Sequence, residues 1–192
     1  MTVGEIKRLY ERLRRLQKRI GQKAGRSFEW EVEIPNSGNH KYRINGMKSP
    51  EEFEDDIAFL AVSIWSMKDY IKKIARSYGK SPRDVEQFVN SDSNLPICAD
   101  LANTDKHGEL TNSRTNNFLR MGRANFNVPK AAISRITLRK NEVEVDVSAP
   151  ELVVVTVPIL DQSATQVGEA LACLQNSIAA WERLLRQFGV KM

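Results

Sequence analysis

The sequence contains few of the residues that build metal centres or disulfide frameworks. Its 192 residues include two cysteines, Cys98 and Cys173, and two histidines, His40 and His107. A structural zinc site needs several Cys or His ligands at short spacings, and a disulfide-stapled domain needs more cysteines. There is also no glycine-rich phosphate loop. We therefore expect no metal and no cofactor, and we interpret both cysteines as small buried residues.

Long apolar segments are absent as well. No apolar run approaches the roughly 20 residues that are needed to cross a membrane, and the first residues lack the apolar core of a secretory signal. The composition is ordinary for a globular protein, and the length is sufficient for a proper hydrophobic core. These features predict a cytoplasmic location and no membrane partner.

The net charge of +5 is unevenly distributed along the chain. Residues 1–26 hold nine Lys or Arg and two Glu, which gives +7, and the other 166 residues therefore sum to −2. Within this segment, apolar residues at three- and four-residue spacings predict a helix over residues 2–24 that packs on another helix. Its basic surface, including Arg12, Arg15 and Arg19, has two interpretations. It is either a surface for RNA or an acidic protein, or a solvated face around the packing stripe.

Two further patterns follow the basic segment, and they predict a β-hairpin and the starts of two helices. Apolar and acidic residues alternate from Phe28 to Ile34, and a turn leads into Lys41–Ile44, which predicts a β-hairpin. We treat residues 1–48 as a basic helix with this hairpin. Ser49-Pro50 then starts a helix expected over residues 50–78, and Ser81-Pro82 starts a shorter one.

The second half of the chain combines strands with a final helix. Residues 109–127 read as a long polar loop rich in Asn and Arg. Residues 130–158 alternate with period two, which predicts a β-meander inserted into a helical bundle that covers residues 49–192. An apolar stripe predicts a last helix over residues 161–188. The expected fold is α+β: a helical bundle with a small antiparallel meander and an N-terminal β-hairpin.

One short segment, Asp100-Leu-Ala-Asn103-Thr-Asp-Lys106-His107-Gly108, contains most of the plausible site chemistry. We expect a helix over residues 95–107, capped by Ser93 or Asn94 and ended by Gly108. On it, Asp100, Asn103 and His107 share one stripe, and histidine is the side chain that titrates nearest neutrality. These three are the candidate catalytic residues. The alternative is that His107 only complements the helix dipole.

This segment also carries a resemblance. The Asp-x-Ala-Asn-x-x-Lys-His pattern, together with Trp65-Ser-Met-Lys-Asp69 and a last helix containing Trp181, resembles a group of bacterial and phage proteins to which no activity is tied. These proteins look like distant members of the HEPN superfamily of helical bundles. The resemblance covers about residues 50–108 and 160–188. It implies a HEPN-like bundle and an origin in a phage or another mobile element.

Many HEPN proteins are metal-independent ribonucleases whose motif places four to six residues between an Arg and the catalytic His. Here those spacings fall on Ala102, Leu101 and Asp100, and none of them is basic. The resemblance therefore favours a non-catalytic module that forms a homodimer. This module is expected to bind a partner, and the homodimer is predicted because two long amphipathic helices and the apolar strand beginning at Leu152 exceed what one small bundle needs to cover. The first alternative is a toxin or phage-defence ribonuclease that uses His107. The second alternative is a nucleic-acid-binding protein that uses the basic first helix. The candidate nucleic-acid contacts outside that helix are Lys106, Arg114, Arg120 and Arg123.

Overall fold

A computed structural model describes residues 3–108 and 112–190, and it confirms a mixed α+β fold. The helices are α1 (Val3–Gly21), α2 (Pro50–Ala75), α3 (Pro82–Ser91), α4 (Leu95–His107) and α5 (Ala170–Gln187). The strands are β1 (Ala24–Ile34), β2 (Gly38–Met47), β3 (Arg120–Met121), β4 (Asn125–Asn127), β5 (Ile133–Arg139), β6 (Glu142–Val147), β7 (Val154–Thr156), β8 (Pro158–Leu160) and β9 (Gln166–Glu169). Short 3-10 helices cover 76–78, 130–132 and 150–152.

The helices form a bundle around α2, which is apolar on several sides. Ile57, Ile64 and Ile71 of α2 are fully buried in the main hydrophobic core. From α5, the buried Trp181 fills the same core, and its indole Nε1 donates a hydrogen bond to the carbonyl of Ile64 at 3.0 Å. This bond satisfies the only polar atom of a large buried ring, so the α2–α5 packing is specific as well as apolar.

The predicted starts of α2 and α3 are confirmed by their capping geometry. Ser49 and Glu52 exchange side-chain and backbone hydrogen bonds at the start of α2. Ser81 and Asp84 form the equivalent capping box at the start of α3. Each box satisfies backbone N–H groups that have no partner inside the helix.

The N-terminal hairpin and the strands of the predicted meander belong to one four-stranded sheet. Its strand order is β1-β2-β6-β5, so β2 and β6 are the central strands. The β1–β2 and β5–β6 pairs are antiparallel, whereas β2 and β6 run parallel. The parallel pair joins residues that are about a hundred positions apart, and this is why the local patterns predicted two separate hairpins.

Only two strands of the predicted meander pair with each other. Residues 152–157 were expected to add a third strand, but β7 pairs instead with β4, inside the segment expected to be a long polar loop. That segment also contains β3, which pairs with β8 in a second small sheet. Both sheets lie at the edge of the main core, where Phe126 and Val155 pack against it.

The predicted start of the last helix is wrong by nine residues. The side chain of Asp161 accepts from the backbone N–H groups of Ser163 and Thr165, so it closes a turn and does not cap a helix. The chain then forms β9 against β8. The α5 helix begins only at Ala170, where the Glu169 carboxylate accepts from Ala172 N.

Among the described residues, none of the helices combines the length and the apolar character that a bilayer crossing requires.

Candidate functional sites

The helix that carries the candidate catalytic residues forms where it was predicted, but a different residue caps it. Asp92, not Ser93 or Asn94, accepts hydrogen bonds from the first backbone N–H groups through its Oδ1, at 2.8 and 3.0 Å. At the other end, Gly108 has a φ of 74°, as expected for a glycine that ends a helix. The position of α4 against α2 is therefore set by residues on both sides of the segment.

Asp100 has no exposed surface, and its carboxylate is directed at the loop that follows α4. It accepts from Ser113 Oγ at 2.6 Å, Thr115 Oγ1 at 2.5 Å and the backbone N of Arg114 at 2.7 Å. Thr115 N is a further donor at 3.3 Å. Hydrogen bonds to an ionised acceptor are stronger than neutral ones, so this carboxylate fastens residues 113–115 to α4.

The other residues of the predicted polar stripe do not share the surroundings of Asp100. Thr104 Oγ1 donates within its helix and also contacts the carbonyl oxygen of Leu119 at 3.0 Å, so it holds the far end of the same loop. Asn103 is half-buried, and its side chain makes no hydrogen bond to the part of the chain that the structure describes. The His107 side chain lies outside the described residues, so its predicted role remains a prediction.

Arg114 links this loop to the first half of the bundle. Its guanidinium lies 4.8 Å from the centre of the Trp65 ring and pairs with Glu86 at 3.1 Å. Lys68 also lies over Trp65, at 4.5 Å. A cation over an indole is stabilised by the negative ring face. Trp65 therefore packs against two cations, one from its own helix and one from the loop that Asp100 holds.

Glu86 is the carboxylate at the centre of this cluster, and Lys72 also pairs with it. Burial raises the pKa of Glu86, but the hydrogen bond from Lys72 and the positive charges of Arg114 and Lys68 outweigh that effect and lower it. Burial also lowers the pKa of Lys68, and Glu86 partly offsets that shift. Three cations thus converge on one carboxylate in a half-buried setting. These residues were not predicted as a group, because they come from α2, α3 and a loop.

Two of the candidate nucleic-acid contacts lie on one open cleft. Arg120 and Arg123 line a cleft of about 430 Å³ together with Asp55 and Asp105. Arg123 pairs with Glu51 at 3.3 Å, which holds it against the start of α2. The cleft carries charges of both signs, so it has no clear preference for an anion. Lys106 is exposed near the end of α4.

The three arginines of α1 that were predicted to contact nucleic acid also have different surroundings. Arg12 lies over the Phe59 ring at 5.2 Å, and Arg19 pairs with the buried Asp56 at 2.7 Å. Arg15 is exposed and has no ion pair within the described residues. Two of the three arginines are therefore engaged in contacts within the chain.

Four of the exposed large apolar side chains, Trp30, Val32, Ile136 and Leu138, lie on one face of the four-stranded sheet, which we call the apolar sheet face. The strand registers place its side chains in two rows across all four strands. The inner row is Phe28, Ile44, Val145 and Ile136, and the outer row is Trp30, Tyr42, Val143 and Leu138. Val32 continues the face beyond the outer row on β1.

The two rows have different surroundings. Phe28, Ile44 and Val145 of the inner row pack against a small second core that contains Met47 and Val147. The outer row packs against neither hydrophobic core of the described residues. Accordingly Trp30 is 43% exposed and Leu138 is 73% exposed, while Ile136 at the end of the inner row is 55% exposed.

The alternation along β1 predicted a half-buried strand. On the side that the pattern would bury, Phe28 packs against the second core, but Trp30 and Val32 are exposed. Period-two alternation identifies two unlike faces but does not identify what covers the apolar one. The extent of the apolar face depends on the pairing of the hairpin with β6 and β5, which the pattern of β1 alone does not reveal. No protein-family model, curated protein or solved structure matches this chain, so its function has to be argued from these surfaces alone.

Proposed function

We propose that this protein is a non-catalytic, HEPN-like interaction module that forms a homodimer, and that the apolar sheet face packs on the same face of a second copy. The observation that carries the proposal is the uncovered outer row. Its two most exposed residues, Trp30 and Leu138, lie at opposite edges of the sheet. Large apolar side chains that cluster on one surface mark an interaction site more often than scattered ones do.

The area of the face is consistent with a stable dimer. From the exposed fractions of Trp30, Val32, Ile136 and Leu138, we estimate on the order of 400 Å² of exposed apolar surface. A standard interface buries about 800 Å² on each partner, and its buried core is about two-thirds apolar. The face therefore supplies much of the apolar area of one such interface, and the surrounding strands supply its polar rim.

The distribution of charge also supports a second copy as the occupant. The strand registers place Glu29, Arg43 and Glu144 on the opposite face of the sheet, where Arg43 pairs with Glu29 at 2.7 Å. Neither row of the apolar sheet face contains a charged residue. Two copies of a basic protein can thus meet there without bringing like charges together. A two-fold interface requires a patch to be complementary to itself, and an uncharged sheet face meets this requirement in its charge.

The arrangement of the aromatic rings favours a protein partner over a nucleic acid. Trp30 stacks on Phe28 at 5.8 Å and on Tyr42 at 5.3 Å, so its ring already has aromatic neighbours. Sheets that bind single strands present free ring faces to the bases. Here the most exposed side chains of the face are Ile136 and Leu138 on β5, and aliphatic side chains suit sheet-on-sheet packing.

The surroundings of Asp100 support the non-catalytic part of the proposal. Both of its carboxylate oxygens accept hydrogen bonds from residues 113–115, and the side chain has no exposed surface. A carboxylate in this position has neither the access nor the free lone pairs that general acid–base catalysis requires. Its role within the module is to hold the loop that presents Arg114.

The test is the oligomeric state of two neighbouring lysine variants. Leu138→Lys places a charge on the apolar sheet face, whereas Thr137→Lys places the same charge on the opposite face, beside Glu144. We expect sedimentation equilibrium to give a dimer for the wild type and for Thr137→Lys at micromolar concentration, and a monomer for Leu138→Lys. Because Leu138 is 73% exposed, the thermal unfolding of its variant should remain close to that of the wild type.

A wild-type protein that stays monomeric at 100-fold higher concentration would contradict the dimer. The same holds if both variants remain dimeric, since the interface would then lie elsewhere. Titration with a labelled single-stranded RNA tests the remaining alternative, that the apolar sheet face binds nucleic acid. Tight RNA binding that Leu138→Lys and Trp30→Lys abolish, together with a monomeric wild type, would assign the face to nucleic acid.

A further inference from the structure

The outward side of α1 is a second surface, and it shares no residue with the apolar sheet face. The inward side of α1 is fixed by Ile6, Tyr10, Leu13 and Ile20, which are all buried in the main core. At 100° per residue, the opposite side of the helix carries mainly basic side chains, with Glu11 as the one acidic residue among them. We call this the basic face of α1, and its members are Lys7, Arg8, Arg14, Arg15 and Lys18.

With Glu11 counted against its five cations, this face keeps a net charge of +4 within the described part of the chain. All five residues are exposed, and none of them forms an ion pair with a carboxylate of residues 3–108 or 112–190. Other basic residues of the protein do form such pairs, including Arg43 with Glu29 and Arg135 with Asp146. An uncompensated row of this kind produces a positive potential that attracts a polyanion.

The chemistry of the face identifies the class of polyanion. The apolar stripe of α1 is used in the core, so the helix cannot insert it into a lipid surface as an amphipathic membrane helix does. Tyr10, the only aromatic residue of α1, is buried, so no ring is available to stack on a base. What remains is charge alone, spread over about 16 Å between Lys7 and Lys18.

We infer that the basic face of α1 binds the phosphate backbone of a nucleic-acid duplex without sequence preference. A duplex carries one negative charge per about 1.7 Å of its axis, a density that a row of five cations can neutralise without shape-specific contacts. Arginine suits this purpose because its planar guanidinium can contact two phosphate oxygens at once. An acidic protein surface rarely offers so regular a line of charge.

Salt dependence tests the inference on the full chain. Binding of a fluorescent 20-base-pair DNA duplex is measured by anisotropy between 50 and 200 mM salt. If about five phosphates are contacted, the affinity should fall about 500-fold over this range, since each contact contributes about 0.9 to the slope of log K against log salt. The variant Arg8→Gln, Arg15→Gln, Lys18→Gln should bind more weakly, and its affinity should fall only about 10-fold.

A matched control removes the same number of charges elsewhere. Arg135→Gln, Arg139→Gln, Lys140→Gln changes the net charge equally but lies on β5 and its turn. This control should keep the wild-type salt slope. The inference is overturned if the wild type does not bind at 50 mM salt, or if the two triple variants bind equally. It is also overturned if poly-glutamate binds as tightly as the duplex, because the face would then serve acidic proteins. Sedimentation of Leu138→Lys tests the dimer separately, since that variant keeps the basic face of α1.

Discussion

Ser113 Oγ donates a 2.6 Å hydrogen bond to the buried carboxylate of Asp100, across thirteen positions of sequence. The same hydroxyl accepts from the backbone N of Phe118 at 3.1 Å. One serine therefore connects α4 with both ends of a tight loop, and Asp100 supplies the fixed point. These contacts give Asp100 a structural role, so its presence in the segment does not require a catalytic one.

The first prediction concerns the loss of this charge. Asp100→Asn keeps the shape of the side chain but replaces one oxygen with an amide donor that faces hydroxyl and N–H donors. We expect the free energy of unfolding to fall by about 2–4 kcal/mol, because hydrogen bonds to a charged group are lost and donors are left without partners. Urea denaturation measures the change.

The control is Asp105→Asn, the same substitution on an exposed position of the same helix. Its effect should stay within about 0.5 kcal/mol, as for surface substitutions in general. Equal stability of the two variants would show that Asp100 does not fasten the loop.

The second prediction concerns the pH dependence of stability that Glu86 contributes. Its pKa is lowered in the folded protein because the contacts with Lys72, Arg114 and Lys68 outweigh the effect of burial. A carboxylate with a lowered folded pKa stabilises the protein above its unfolded pKa, and this contribution disappears as the pH falls through the folded value. Wild-type stability should therefore exceed that of Glu86→Gln at pH 7, and the difference should shrink in acid.

The measurement is a series of urea denaturations of both proteins between pH 7 and pH 3. Glu86 is partly exposed, so solvent screening keeps the difference at pH 7 modest. A difference that stays constant over this range would mean that the charge of Glu86 contributes nothing. Glu33→Gln, on the exposed part of β1, serves as the control for the removal of one carboxylate.

Local signals predicted the helices well, because their ends are determined by neighbouring residues. Ser49 and Ser81 each need only a partner three residues later, and both capping boxes are present. Asp161 illustrates the limit of such signals. An aspartate before an apolar stripe caps either a helix or a turn, and the pairing of β9 with β8 decides in favour of the turn.

The sequence predicted the helix that carries the candidate residues, but it did not predict the contacts of Asp100. The spacing of Asp100 and His107 placed them on one helical stripe, yet the burial of Asp100 depends on Ser113 and Thr115, which no local pattern marks. The cluster of Trp65 and Arg114 likewise depends on how the loop folds back on α2. Contacts between residues that are this far apart in sequence depend on tertiary packing, and the periodicity of a sequence does not reveal them.

The third prediction tests the parallel pairing of β2 and β6. Gly46 has a φ of 85°, and a Cβ there would collide with the carbonyl oxygen of Val147. Gly46→Ala should therefore combine backbone strain with a steric clash and lower the free energy of unfolding by about 2–4 kcal/mol. Gly38 has a φ of 80° but open space around it, so Gly38→Ala should cost only about 1 kcal/mol.

Thermal unfolding of the two alanine variants gives the comparison directly. Because both glycines have a similar positive φ, the difference between the variants reports mainly the close approach of β2 to the end of β6. If Gly38→Ala is the less stable variant, the strands do not meet at Val147 as described.

The last prediction separates the proposed module from the ribonuclease alternative. A metal-independent ribonuclease would use His107 for proton transfer, and replacing it with alanine would lower the cleavage rate by about 100-fold or more. We expect instead that neither the wild type nor His107→Ala cleaves a labelled single-stranded RNA in metal-free buffer. The reason is that no Arg occupies the expected positions before His107, and Asp100, the carboxylate predicted on the same helical stripe, is committed to the loop. Cleavage by the wild type that His107→Ala abolishes, with unfolding temperature unchanged, would instead establish the ribonuclease and leave Arg120 or Arg123 as the phosphate contacts to test next.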